Sequence, residues 1–334
     1  MQAIAGQAGV TRQTVSLALR NHPSIPAETR ERIQRLAATM GYRPNPLFAA
    51  LMTHVREGRS HVSTNTIVFL TAHPTRDGWR KRGQIHLEYF DGARARAEEL
   101  GYRLEEVWAR EPGMTGRRLS KVLLTRNIRG LLLAPLPAAR GHLTLEWSQF
   151  AVATLGYSVW RPDFHRAVAN QFLSTLFAIR RLLRLGYRRI GVVVERRVNE
   201  RCNHQYTAAL FDCQQRVPRA DRVPPLLVDA ITEPAFGAWF QKHRPDAILG
   251  NHWKIPEWVE RFGRRVPDDV GYVHFSKSDS PLQFTGIEHH AKLVGAAALD
   301  LVVEQLHRNE YGIPVHPKLV MIEGNWVDGE TVRR

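Results

Sequence analysis

The chain is short of the residues that staple or anchor small proteins. Its two cysteines, Cys202 and Cys213, have ten residues between them and no CxxC spacing. That argues against a disulfide scaffold or a zinc module and fits a reducing compartment. Long hydrophobic runs are absent as well. The most apolar stretch, near residues 64–72, is far below the roughly twenty residues of a membrane-spanning helix. The opening MQAIAGQAGVTRQTVSLALR has no uninterrupted apolar core behind a basic start, so it does not read as an export signal. Together these absences predict a soluble cytoplasmic protein with no membrane partner. Catalytic signatures are missing too. There is no GxGxxG after a strand, no GxxxxGK[ST], no HExxH and no GxSxG, and no carboxylates or histidines stand at metal-ligand spacing. No catalytic residue, metal or cofactor is expected, and the chain does not read as an enzyme.

What is present is 334 residues of ordinary globular composition, 43% hydrophobic and 24% charged, enough for two or three domains. Lysine plus arginine number 47 against 32 acidic residues, for a net charge of +15. A basic balance suits a polyanionic partner. Only seven of the 47 are lysines, however, and an arginine excess can follow from genome composition alone. Residues 1–60 carry eight arginines and three glutamates, and the rest of the chain holds about two-thirds of the surplus. Charge therefore does not decide the function.

The pattern divides the chain in three. Residues 1–44 read as short helices, 45–64 as an apolar patch followed by a polar linker, and 65–334 as alternating strands and helices. Strands are expected at 67–72, 103–109, 130–136, 150–157, 189–195, 224–229, 246–251, 270–275 and 318–324. Helices are expected at 86–102, 120–127, 170–187, 203–216, 233–243, 256–263 and 290–309. Alternation with short connections specifies an α/β fold with doubly wound parallel sheets. The strands are too many for one small sheet, which predicts two lobes behind a small helical head.

The segment AGVTRQTVSLALR is the most informative in the chain. A first helix would bury Ile4, Ala5 and Ala8. Gly9 stands where a tight turn needs a small residue, and Val10 fills the angle. Thr11 suits the N-cap of a second helix, which would bury Val15, Ala18 and Leu19. That helix shows Arg12, Gln13, Ser16, Leu17 and Arg20 on its other side. A third helix, AETRERIQRLAATMG, would bury Ile33, Leu36, Ala37 and Met40. The spacing is that of a helix-turn-helix, whose second helix enters a major groove.

The AGV-x-x-x-TVS core, the ETRERI helix and the GYRPNPL exit together resemble the LacI/GalR family of bacterial transcription regulators. The order NIRGLLLAPL, GYRRIGVVV, PDAILGN and DVGYVHF follows that family's core strands, so the resemblance runs the length of the chain. It implies an N-terminal helix-turn-helix head and a two-lobed periplasmic-binding-protein-like core, lobe one about 65–157 and 286–312 and lobe two about 158–281 and 316–334. It implies a sequence-specific DNA-binding regulator, a dimeric repressor in its commonest form. Its partners would be a double-stranded operator with an inverted repeat, a second copy of the chain and a small-molecule effector. The opposing alternative is a solute-binding protein of the periplasmic type, which would share the core but carry an export signal instead of residues 1–52.

Position by position, Arg12 and Gln13 fall where the family reads base edges. Arginine can be bidentate to guanine and glutamine to adenine. Leu17 stands at a base-reading position usually held by arginine, and can touch only a thymine methyl. Thr14, Ser16 and Arg20 match positions that meet phosphates. Residues 45–52 resemble the hinge helix that folds on the operator, with Leu51 as the minor-groove wedge. The family usually has a few residues and a threonine cap before helix one, where this chain begins with Met1.

An effector would bind between the lobes, past the carboxyl ends of the strands. Candidates there are His73, Tyr157, Glu200, Arg201, Asn251, Trp253, His274 and Phe275. The family's effector arginine aligns with Cys202, although Arg201 is adjacent, and its aspartates align with Val273 and Gly156. Only Asn251 keeps the expected identity. The effector is thus left open between a carbohydrate, another small molecule and none.

Overall fold

The computed structural model describes residues 2–19, 24–40 and 65–333. The expectations for Arg20, for Leu51 and for the whole of 45–64 lie outside them.

The head is three helices, α1 (Gln2–Ala8), α2 (Arg12–Leu19) and α3 (Ala27–Thr39). Its centre is small: Ile4, Ala5, Ala8, Val15, Ala18, Ile33 and Ala37 are buried, with Val10, Leu19 and Leu36 against them. Met40, expected inside, is exposed, because the last turn of α3 ends beyond the reach of α1 and α2.

In the core, the strands β1 (Thr66–Thr71), β2 (Arg103–Trp108), β3 (Gly130–Leu133), β4 (Gly141–His142), β5 (Ala151–Leu155), β6 (Val159–Arg161) and β7 (His165–Ala169) come first. Then follow β8 (Ile190–Glu195), β9 (Leu226–Val228), β10 (Ala247–Gly250), β11 (Gly271–His274) and β12 (Thr285–Glu288), and finally β13 (Leu319–Ile322) and β14 (Asn325–Val327). The helices between them are α4 (Gln84–Glu99), α5 (Gly116–Thr125), α6 (Gln171–Arg184), α7 (Arg196–Arg201), α8 (Gln205–Gln214), α9 (Glu233–His243), α10 (Ile255–Arg261) and α11 (Ala291–Arg308).

Two six-stranded sheets result. The first runs β13-β7-β5-β3-β1-β2 and is wholly parallel. The second runs β14-β12-β11-β10-β8-β9, parallel except for the β12–β14 pair. A parallel strand is covered on both faces, which is why Ile67 through Leu70 and Leu131 through Leu133 have no solvent contact at all. On the first sheet α4 and α11 lie close together, and glycines permit it. A Cβ on Gly92 would meet the Lys292 carbonyl oxygen at 1.9 Å, and one on Gly295 would meet the Tyr89 carbonyl oxygen at 2.1 Å.

The lobe boundaries differ from those expected. Residues 165–169 and 319–322, assigned from the sequence to lobe two, are neighbouring strands of the first sheet. Residues 285–288 belong to the second sheet. The chain crosses between lobes three times, after β7, after β12 and after β13. The short strand HRAVA did not stand out as one because its His and Arg interrupt the apolar pattern, yet His165 is buried, accepting at Nδ1 the Lys318 backbone N–H at 2.8 Å. The crossings are tied together: Asn170 donates its backbone N–H to Ile322 O at 2.8 Å and caps α6 through the Leu173 N–H.

No helix of the described residues is long and apolar enough to cross a membrane. Both cysteines are free.

Candidate DNA-binding face and interlobe cleft

The turn between α1 and α2 is built as the residue pattern requires. Gly9 has φ of +64°, the left-handed region that suits glycine at a helix C-terminus. Val10 donates its N–H to Ala5 O at 3.1 Å, closing the end of α1. Thr11 Oγ1 accepts the Thr14 N–H at 3.1 Å and so caps α2, and it lies 2.9 Å from Thr14 Oγ1. The third helix fixes the other two by their ends. Arg32 donates to Ala8 O at 3.2 Å and Gln34 to Ala18 O at 2.9 Å. With Val15 and Ala18 fully buried, the opposite side of α2 is turned outward. Arg12 and Gln13 are exposed, and Thr14, Ser16 and Leu17 are half-buried beside them. An outward arginine and glutamine on the first turn of a second helix can reach base edges, and the flanking hydroxyls can reach phosphates.

The second candidate site lies where the two sheets present their carboxyl ends. His73 follows β1 and is buried, its Nε2 donating to Pro135 O at 3.1 Å. Tyr157 follows β5, and its hydroxyl accepts from Gln205 Nε2 of lobe two at 2.9 Å. Arg201, on α7 of lobe two, reaches the other lobe, donating to the carbonyls of Leu136 and Pro137. Glu200 beside it is half-buried. Asn251 ends β10 with a buried Oδ1 that has no partner. Burial holds the His274 pKa below its ordinary value, its Nδ1 lies 2.6 Å from Ser276 O, and its buried Nε2 has no partner. Phe275 is buried against Tyr206, with ring centroids 4.0 Å apart, and belongs to the lobe-two core. Trp253 is 55% exposed under the Lys254 ammonium. The structure thus brings His73, Tyr157 and Arg201 to the facing strand ends, places Asn251 and His274 at the ends of the lobe-two strands β10 and β11, and leaves Trp253 exposed.

Sequence reasoning missed several residues of this region. Arg82 and His86 stand at the opening of α4. Arg82 donates to Pro137 O at 2.8 Å, the carbonyl that Arg201 also reaches. Burial, then the charges of Arg201 and Arg82, push the His86 pKa down to about 3, and its buried Nδ1 has no partner. Tyr89 and Tyr206 are buried, and desolvation raises both hydroxyl pKa values. Burial also pushes the Cys202 thiol up to about 11, so it stays protonated and unreactive. At the second crossing His289 is buried, and desolvation lowers its pKa to about 4. The available signal was position: Arg82 and His86 follow the end of β1, as His73 does.

A groove of about 710 Å³, lined in part by Trp147, Arg161, Asp163, Ile313 and Val315, opens at the amino ends of the first sheet. It is remote from the strand ends just described, and none of the unpartnered buried polar atoms lines it.

A helix-turn-helix head ahead of a two-lobed α/β core defines a DNA-binding transcription regulator with a ligand-responsive core. Residues 1–45 match the bacterial regulatory proteins of the lacI family, and residues 179–332 match the periplasmic binding protein-like domain. The chain belongs to the lacI family. Among solved structures it is similar to the cellobiose complex of the transcriptional regulator CelR, with 18% identity, 98% of each chain covered and a TM-score of 0.57. It is similar as well to the lac repressor dimer bound to operator and an anti-inducer, with 16% identity, 99% of this chain and 98% of that one covered, and a TM-score of 0.55. A LacI-family regulator from Rhizobium etli matches 81% of this chain over its full length, with 15% identity and a TM-score of 0.60. At these identities the likeness is one of fold. No curated protein matches the chain.

Proposed function

We propose that the chain acts as a cytoplasmic dimer that represses transcription by binding an inverted-repeat operator, under control of a small molecule held between the lobes. The carrying observation is the outward face of α2, where Arg12 and Gln13 stand exposed on a helix whose other side is locked into the head. Arg12 and Gln13 read base edges, Leu17 contacts a thymine methyl, and Thr14, Ser16 and Arg20 hold phosphates. Leu51 wedges the minor groove between half-sites. One head covers one half-site, so a two-fold operator calls for two copies.

The cleft ligand acts by binding two lobe arrangements unequally, since equal affinity for both would shift nothing. His73, Tyr157, Glu200, Arg201, Asn251, Trp253, His274 and Phe275 remain the residues to test. Trp253, the most exposed of them, is expected to matter least. The chain carries out no catalysis in this reading. The lac repressor structure, described as a dimer on operator with an anti-inducer, and the cellobiose complex of CelR support it by analogy. Sedimentation of the full chain with duplexes carrying one or two half-sites tests the assembly. Two copies on an inverted repeat are expected, with much weaker binding to a lone half-site. One copy bound equally well to either duplex would refute the dimer.

A further inference from the structure

Two arginines from opposite lobes converge on one carbonyl. Arg82, ahead of α4 in lobe one, donates to Pro137 O at 2.8 Å. Arg201, on α7 in lobe two, donates to Pro137 O at 3.4 Å and to Leu136 O. A third, Arg197, is exposed one turn earlier on the same helix. Among the described residues, no carboxylate lies within 4 Å of any of the three. Two carboxylates of this region are otherwise engaged, and Glu200, next to Arg201 in the chain, forms no ion pair with it among the described residues. Glu88 accepts from Ser278 Oγ at 2.8 Å, and Asp279 accepts from Ser276 Oγ at 3.2 Å and from the Ile85 N–H at 3.4 Å.

Partly buried guanidinium groups normally stand opposite an acid, because a neutral carbonyl offsets only part of the cost of desolvating the charge. Here their neighbours are cations. Desolvation, then the charges of Arg82 and Arg197, lower the Arg201 pKa, and desolvation with Arg197 lowers that of Arg82. The pKa of His73 is lowered by burial despite its carbonyl bond, and Arg82 and Arg201 add to the lowering. The second feature of the cleft is unsatisfied hydrogen-bonding capacity. Asn251 Oδ1, His274 Nε2 and His86 Nδ1 are buried without partners, and buried polar groups are normally paired.

We infer that the cleft ligand is a small hydroxylated anion, a polyol bearing a carboxylate or a phosphate, whose acid group bridges Arg82 and Arg201 and whose hydroxyls meet Asn251, His274 and His86. This rests on the reading of the cleft as the effector site and specifies its chemistry. A carboxylate or phosphate takes two guanidinium groups by paired charge-assisted hydrogen bonds. Because one arginine comes from each lobe, the anion relieves their mutual repulsion only when both lobes contact it, which couples binding to lobe closure. A neutral sugar would leave that repulsion in place. Arg197, at the mouth, contributes to capture at a distance.

The test is thermal unfolding and calorimetry of the full chain with aldonates, uronates and sugar phosphates, each paired with its neutral parent sugar. Inorganic phosphate at matched ionic strength serves as the control for the anion alone. The expected result is a raised midpoint with an acid, none with its neutral parent, and an affinity that falls as salt rises. Arg201→Gln and Arg82→Gln should each weaken binding about tenfold or more. Arg201 also braces the two lobes and Arg82 holds the same lobe-one loop, so Arg197→Gln provides an independent check. It is exposed, takes no hydrogen bond or ion pair among the described residues, and should weaken binding by a few-fold. Carboxylate and phosphate arms that differ in affinity identify which acid the site prefers. Equal binding of acid and neutral parent, or affinity unmoved by all three substitutions, overturns the anionic assignment and leaves the effector reading standing. Stabilisation by no member of the panel, charged or neutral, overturns both.

Discussion

The head and the cleft place their functional residues in opposite ways. In the head, the proposed base-reading pair Arg12 and Gln13 is exposed, adjacent in sequence and carried on one short helix whose far side is buried. In the cleft, most of the groups are buried or half-buried and polar, and they are drawn from the ends of separate strands and helices in both lobes. A surface that reads a long polymer must protrude. A site that must change a lobe angle has to touch both lobes. The difference shows in what holds each in place: Val15 and Ala18 on the inner side of α2, against single hydrogen bonds such as Gln205 to Tyr157 and Arg201 to Pro137 across the lobes.

The largest effect separating the two regions should come from the scaffold of lobe one. Gly295→Val would drive a side chain into the Tyr89 carbonyl at the α4–α11 contact, at a cost of about 3 kcal/mol or more. Urea unfolding should show the core transition moving to lower denaturant while an isolated-head signal stays put. A core unchanged by the substitution would mean that α4 and α11 do not approach as described. Next in size, Arg12→Ala and Gln13→Ala should each weaken binding to the preferred duplex by about 1–3 kcal/mol and flatten the preference at one base pair. Competition titrations against duplexes changed at single positions measure this. Uniform weakening on every sequence would recast both side chains as phosphate contacts.

The core should also respond to pH more than the head does. Burial lowers the folded-state pKa of His289 to about 4, below the unfolded value near 6.5. Between those values the unfolded chain binds the proton and the folded chain does not. Stability is therefore fully retained above about pH 6.5 and is lost as pH falls, by up to about 1.4 kcal/mol for each pH unit. His289→Gln should flatten that slope in denaturation curves taken from pH 7 to pH 5. A slope identical to that of the parent would mean that the imidazole titrates normally. The smallest expected effect is in the head, where Thr11→Ala removes the cap on the Thr14 N–H and should cost about 1 kcal/mol of helix stability. Amide exchange at Val15 and Ala18 would report it.

The same contrast explains what could be read in the amino-acid sequence. The head was legible down to its turn, because helical spacing fixes which side of α2 is buried, and Ile4, Ala8, Val15, Ala18 and Ile33 lie where that spacing puts them. Only Met40, past the last contact, went the other way. The α/β alternation and most strands of the core were legible for the same reason, since Ile67–Leu70 and Leu131–Leu133 are runs that a buried parallel strand demands. Lobe membership was not. Nothing local in HRAVA or in the strand at 319–322 says which of two sheets will accept it, because the answer depends on the partner strand, β5 for the first and, for the second, β7 in a distant part of the chain. The cleft was legible only in part. Position after a strand marked His73, Tyr157, Arg201 and Asn251. It could not show that Arg82 would reach the carbonyl that Arg201 reaches, a meeting created by the tertiary fold. The net charge was the least useful guide, since the head holds only a third of it.

The central claim is that a few exposed residues on α2 give this basic chain a sequence preference beyond general attraction to DNA. The most direct test is the ratio of affinities for an inverted repeat from its own upstream region and for a scrambled duplex, measured as salt is raised. Binding to both should weaken with salt, since phosphate neutralisation is common to both. The preference for the inverted repeat should persist, at about a thousandfold or more. A ratio that falls to one as salt rises would reduce the head to a nonspecific basic surface and contradict the account.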